Sequence, residues 1–138
     1  MPGIERVLMV GHCGFDAGAL DRFVREALPE AEVAEAYSKE DIEEQAGPQD
    51  LLLINRVLGG GFGARSGVEL IHALKGRGSP PVMMLVSNYE DAQQQAVEAG
   101  AEPGFGKNEI GSAAARQRLR EAAGGDGGDG GDGRSESA

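Results

Sequence analysis

PPVMMLVSNYEDAQQQAVEAGAEPGFGK, residues 80–107, carries the clearest structural signal in the chain. Pro80 and Pro81 cannot donate ladder hydrogen bonds, so they mark a strand start, and VMMLV (82–86) is an unbroken apolar run of strand length. An unbroken run, as opposed to an alternating one, implies that both faces of the strand are covered, as in a parallel sheet flanked by helices. A helical segment over Asp91 to Ala99 follows and stops at Gly100, a left-handed C-cap candidate. The next strand falls on Pro103 to Gly106, residues of low β-propensity whose register the sequence leaves open.

The same strand-then-helix unit recurs on the amino-terminal side. Leu51 to Ile54 is a second continuous apolar run, and Val68, Ile71 and Leu74 form the apolar stripe of the helix after it. Arg6 to Val10 reads as the first strand, with Ala17, Leu20, Phe23, Val24, Ala27 and Leu28 at helical spacing until Pro29. Glu32 to Tyr37 alternates like an edge strand, and Ser38 is a good N-cap for a short helix from Lys39. Glu109 to Ala123 is expected to close the domain as one Ala- and Arg-rich helix. Five βα units predict a flavodoxin-like α/β fold: a three-layer, doubly wound, five-stranded parallel sheet of order 2-1-3-4-5. Residues 1–123 make one domain; residues 124–138, a Gly-Gly-Asp repeat ending in RSESA, have too little apolar surface to order and are expected to be disordered.

The chain carries 23 acidic against 13 basic residues, a formal net charge of −10. Asp126, Asp129, Asp132 and Glu136 against Arg134 place −3 of this on the tail. A domain of this sign repels a phosphate backbone, so nucleic acid is not an expected partner. A single cysteine, Cys13, cannot form an internal disulfide, and no apolar run reaches membrane-spanning length. The amino terminus has neither the basic leader nor the apolar run of a secretory signal, so a cytoplasmic protein without membrane partners is expected.

The ordered series DLLLIN (50–55), GVEL (67–70), PVMMLVS (81–87), AGA (99–101) and Lys107 resembles the receiver domains of bacterial response regulators in two-component phosphorelay signalling, over roughly Arg6 to Leu119. The resemblance implies a phosphoacceptor aspartate at the end of the third strand, a pair of Mg²⁺-binding acids after the first, a hydroxyl residue ending the fourth, an aromatic residue three before a phosphate-contacting lysine, and that lysine itself. Lys107 matches. Asn55 stands at the phosphoacceptor position, Gly11 and His12 at the metal-binding acids, Val86 at the hydroxyl and Gly104 at the aromatic residue. Magnesium needs hard oxygen ligands, which glycine and imidazole do not supply, and a neutral carboxamide is not the anionic nucleophile of phosphoryl transfer. No bound cofactor, metal or catalytic residue is expected. Ser87, one residue past Val86, offers a hydroxyl if the register slips, whereas Phe105 points to the opposite face by strand alternation. Asn108 replaces the family's proline after the lysine, so a trans bond is expected, cis costing about 2.5–4 kcal/mol at a non-proline residue.

Each candidate has a structural reading beside its functional one. Asn55 lies where open α/β sheets collect ligands, or it satisfies loop backbone. Lys107 bonds Asn55 or a carbonyl, or is a solvated lysine. His12 and Cys13, being adjacent, point apart and make a poor metal pair, and Cys13 reads as a small hydrophobe before it reads as a reactive thiol. The glycines at 59, 60, 61 and 63 form a loop longer than the family's, expected to be mobile; with the amides near Gly11 to Gly14 and Lys107 they could form an anion nest. The arginines at 116, 118 and 120 mark a docking face or a solvated helix side. The expected function is a pseudo-receiver: a signalling module independent of phosphorylation that binds a protein, a kinase or an output protein, through its fourth helix, fifth strand and last helix. It is expected to be a monomer or a weak homodimer and not an enzyme. The alternative is a small-anion or nucleotide-binding domain using the vacated pocket at Gly11, His12, Asn55, Ser87 and Lys107.

Overall fold

The computed structural model describes residues 4–12, 14–58 and 66–124. Cys13, the glycine cluster of the 55–67 loop and the acidic tail lie outside the described residues.

Five strands, β1 (Arg6–Val10), β2 (Glu32–Ala36), β3 (Asp50–Asn55), β4 (Val82–Val86) and β5 (Glu102–Phe105), form one parallel sheet of order β2-β1-β3-β4-β5. Between and after them run α1 (Gly14–Ala27), α2 (Lys39–Gln45), α3 (Gly67–Lys75), α4 (Glu90–Ala99) and α5 (Ala113–Ala122). The flavodoxin-like order expected from the sequence is the one observed.

Period-two alternation divides the apolar strand residues into two cores. Leu8, Val10, Leu52, Ile54, Met83 and Leu85 face α2, α3 and α4, where Ile42, Leu70, Ile71, Leu74 and Ala96 meet them. Val7, Met9, Leu51, Leu53, Met84 and Val86 face α1 and α5, meeting Leu20, Phe23, Val24, Ala115 and Leu119. The three central strands therefore need apolar residues at every position, which is why they read as continuous runs. Phe105 closes the second core edge-to-face on Phe23, with ring centroids 5.6 Å apart.

Two boundaries differ from the sequence expectation for a visible physical reason. β2 stops at Ala36, because Tyr37 is exposed and its N–H donates to Asp41 Oδ2 (2.9 Å) at the start of α2. Ser38 caps that helix as expected, accepting from the Asp41 N–H. The closing helix does not begin at Glu109. Lys107–Glu109 is a short 3₁₀ turn, Gly111 takes a left-handed φ of 95°, and Ser112 caps a fresh helix by accepting from the Ala115 N–H. β5 forms in spite of its composition, because it is held from both sides: the Ser87 N–H donates to the Phe105 carbonyl (2.9 Å), and Arg118 Nη1 on α5 donates to the Gly104 carbonyl (3.1 Å). No peptide bond among the described residues is cis, so the bond between Lys107 and Asn108 is trans as expected.

Candidate functional site

Parallel strands deliver their carboxyl ends to one edge of the sheet, and the order reverses between β1 and β3, which opens a crevice there. Val10 pairs with Ile54, and Asn55 with Val86, so Gly11 leaves β1 at the level of Asn55, and Ser87 leaves β4 one residue beyond it.

The structure joins Gly11 and Asn55 directly. Asn55 Nδ2 donates to the Gly11 carbonyl (3.1 Å) and to the Val57 carbonyl (3.0 Å), so both of its hydrogens have acceptors. Gly11 has a φ of 77°, a turn that β-carbon-bearing residues rarely adopt. Of the two readings of Asn55, the structure realises the one in which it satisfies loop backbone. The ends of the 55–67 loop are clamped by the pairing of Val57 with Ser66 and by the Gly67 N–H, which donates to the Arg56 carbonyl (2.7 Å). Gly67 has to be small here, since a β-carbon would run into the Asn55 carbonyl oxygen and lie 2.9 Å from Ile54 Cγ2.

His12 Nε2 sits 2.9 Å from the Leu53 carbonyl oxygen. A carbonyl only accepts, so this ring nitrogen carries the proton and has no lone pair for a metal. Among the described residues, no group of three His, Cys, Asp or Glu side chains is placed to hold a metal ion. Val86 is buried in the α1–α5 core and presents nothing polar to the crevice. Ser87 is also buried, and its hydroxyl accepts from the Tyr89 N–H (3.2 Å). Lys107 is half-buried and opens the 3₁₀ turn after β5. Gly11, Asn55 and Ser87 thus stand at or just past the carboxyl ends of β1, β3 and β4, Lys107 follows β5, and Val86 is turned away into the core.

Two residues near the crevice were not singled out. Gln93 on α4 and Asn88 in the β4–α4 loop reach across to the end of β5: Gln93 Nε2 lies within 3.2 Å of the Leu85, Ser87 and Phe105 carbonyls, and Asn88 Oδ1 accepts from the Asn108 N–H (3.0 Å). No sequence signal marks them, because their partners are backbone groups that only the fold brings near. Together with Ser87, Asn108, Glu109 and Arg118 they line a hollow of about 430 Å³ between α4, β5 and α5. The arginines of α5 have structural work as well: Arg118 holds β5 and faces Glu109 at 3.6 Å, and Arg120 Nε donates to the Ala27 carbonyl at the end of α1.

No protein-family model and no curated protein matches the chain. Solved structures do. The signal receiver domain of a DNA binding response regulator from Colwellia psychrerythraea superposes with a TM-score of 0.63 at 17% identity, over 85% of this chain and 96% of that one. A chain of the Saccharomyces cerevisiae co-crystal structure of the histidine phosphotransfer signaling protein Ypd1 with the receiver domain of its downstream response regulator Ssk1 matches at 0.64 and 17%, over 89% and 91%. The response regulator receiver domain from Rhodospirillum rubrum matches at 0.58 and 14%, over 86% and 90%.

The chain has the receiver fold. Almost the whole length of each receiver domain is covered, so the likeness extends over a complete domain and not over a single βα unit. At such identities it is a likeness of backbone course, and the chemistry of the crevice has to be read from this chain's own side chains. In this receiver fold, they are a committed carboxamide, a glycine turn and a histidine bound to backbone.

Proposed function

We propose that the chain is a receiver-type signalling module that acts by binding a protein, without itself being phosphorylated and without catalytic activity. The observation that carries this is Asn55. At the position that the receiver resemblance gives to the phosphoacceptor, a carboxamide stands with its Nδ2 engaged by the Gly11 and Val57 carbonyls. An amide in that role offers no anionic oxygen for attack on phosphorus, and Gly11 and His12 bring no carboxylate for Mg²⁺. What the fold retains is its surface, and the α4–β5–α5 side with its polar hollow is our choice of docking face.

The yeast co-crystal is a precedent for a receiver domain seated on a signalling protein. The partner here is proposed to be a kinase or an output protein. Nucleic acid is disfavoured by a net charge of −10, and no helix among the described residues is long and apolar enough to cross a membrane. We place the module in the cytoplasm, as a monomer or weak homodimer.

Incubation with acetyl phosphate and Mg²⁺ followed by intact-mass measurement tests the proposal. The mass is expected to stay unchanged. A phosphoryl adduct that disappears in Asn55→Ala would overturn it.

A further inference from the structure

We infer that Gln93 is a built-in latch that fixes the α4–β5 surface in one arrangement, so that the proposed docking face is assembled without any phosphoryl signal. The inference rests on the reading of that face as the docking surface and deepens it.

The geometry is unusual for one side chain. Gln93 Nε2 lies 2.9 Å from the Leu85 carbonyl, 3.0 Å from that of Ser87 and 3.2 Å from that of Phe105. Leu85 belongs to β4, Ser87 to the loop leading into α4, and Phe105 to β5, so one amide nitrogen ties a helix to two strands and to their connection. An amide nitrogen has two hydrogens, so three acceptors at these distances share them and leave no rotation that keeps the set. The adjacent backbone reinforces the tie, since the Ser87 N–H donates to the Phe105 carbonyl and Asn88 Oδ1 receives the Asn108 N–H.

The latch depends on a vacancy at position 104. A β-carbon on Gly104 would run into the Leu85 carbonyl oxygen and come within 2.8 Å of Gln93 Oε1, so the carboxamide fits only because no side chain is there. The next glutamine on the same helix provides a contrast: Gln94 is exposed and reaches only Glu98, at 3.5 Å. Neither the Asn55 cluster nor the Arg56–Tyr89 stack enters this set of bonds, so the latch is a separate device.

Amide hydrogen exchange on the full-length chain, with Gln93→Ala, Gln93→Glu and Gln94→Ala beside the wild type, tests the inference. Gln93→Ala is expected to speed exchange over Ser87 to Phe105 on the order of tenfold while β1 and β3 are unchanged, and Gln94→Ala to change neither. In Gln93→Glu, the introduced carboxylate has no hydrogen to offer three carbonyls, and only its neutral form donates. Burial against those oxygens raises its pKa, so the charged form is the one penalised. The excess exchange over wild type should then grow as pH rises from about 5 to about 7, each pair being compared at the same pH. A rise in β1 and β3 equal to that in the α4–β5 segment, no rise at all, or a pH-independent excess would each overturn the latch. Exchange is read without phosphate or partner, so these outcomes are independent of whether Asn55 accepts a phosphoryl group.

Discussion

At Asn55, one atom exchange separates a carboxamide from the carboxylate that the receiver resemblance expects, and the surroundings have been built for the amide. Nδ2 gives hydrogens to the Gly11 and Val57 carbonyls. A carboxylate in its place would turn acceptor against acceptor at both. Asn55→Asp is therefore expected to lower stability by about 1–3 kcal/mol at neutral pH, measured by urea unfolding, the range for leaving partly buried groups unsatisfied. It is also expected to gain no mass with acetyl phosphate and Mg²⁺, since Gly11 and His12 still supply no oxygen ligand from their side chains. A stabilised variant, or one that acquires a phosphoryl group, would show that the crevice accommodates a negative charge there after all. The identity of these residues was legible in the sequence, because alignment of strand ends places Gly11, Asn55, Ser87 and Lys107 on one edge. Their commitment was not: that Asn55 reaches Gly11, and that His12 reaches the Leu53 carbonyl, depends on a turn at Gly11 with positive φ that residue order alone does not specify.

The elements were legible in proportion to how far local pattern decides them. β1, β3 and β4 are covered on both faces, so their apolar runs coincide with their strands almost residue for residue. β5 has no such pattern, and its four residues are strand because Ser87, Gln93 and Arg118 supply hydrogen bonds from three other elements. The closing helix misled for the opposite reason. Its Ala- and Arg-rich composition favours helix throughout, yet Gly111 interrupts it and Ser112 starts it again. Ser112→Ala removes the acceptor of the Ala115 N–H and is expected to cost about 1 kcal/mol, detectable as a lower urea midpoint with an unchanged slope. If the midpoint does not move, Arg118 and Arg120 hold α5 by their carbonyl contacts well enough to make its cap redundant.

Over the whole molecule, charge is the least balanced quantity. The net −10 is spread unevenly: Glu30, Glu32, Glu35, Glu40, Asp41, Glu43 and Glu44 gather along β2 and α2 with Lys39 as the one basic residue among them. Tyr37 registers this field: a hydrogen bond to Glu35 and the charges of Glu35 and Asp41 hold its phenol above the ordinary tyrosine pKa. Added salt screens two opposing contributions, repulsion among like charges and attraction within ion pairs. Several ion pairs among the described residues are exposed. Arg25–Asp21, Lys39–Glu43 and Arg118–Glu109 are surface pairs of the kind worth about 0–1 kcal/mol, and Arg6–Asp50 is more shielded, with a second bond from the Gly47 N–H to Asp50. Repulsion is therefore the larger loss on screening, and Tm is expected to rise by about a few degrees as ionic strength goes from roughly 0.01 to 0.15 M, where the Debye length falls from about 30 to about 8 Å. Scanning calorimetry in NaCl measures this directly. A falling Tm would mean that the ion pairs outweigh the acidic β2–α2 edge.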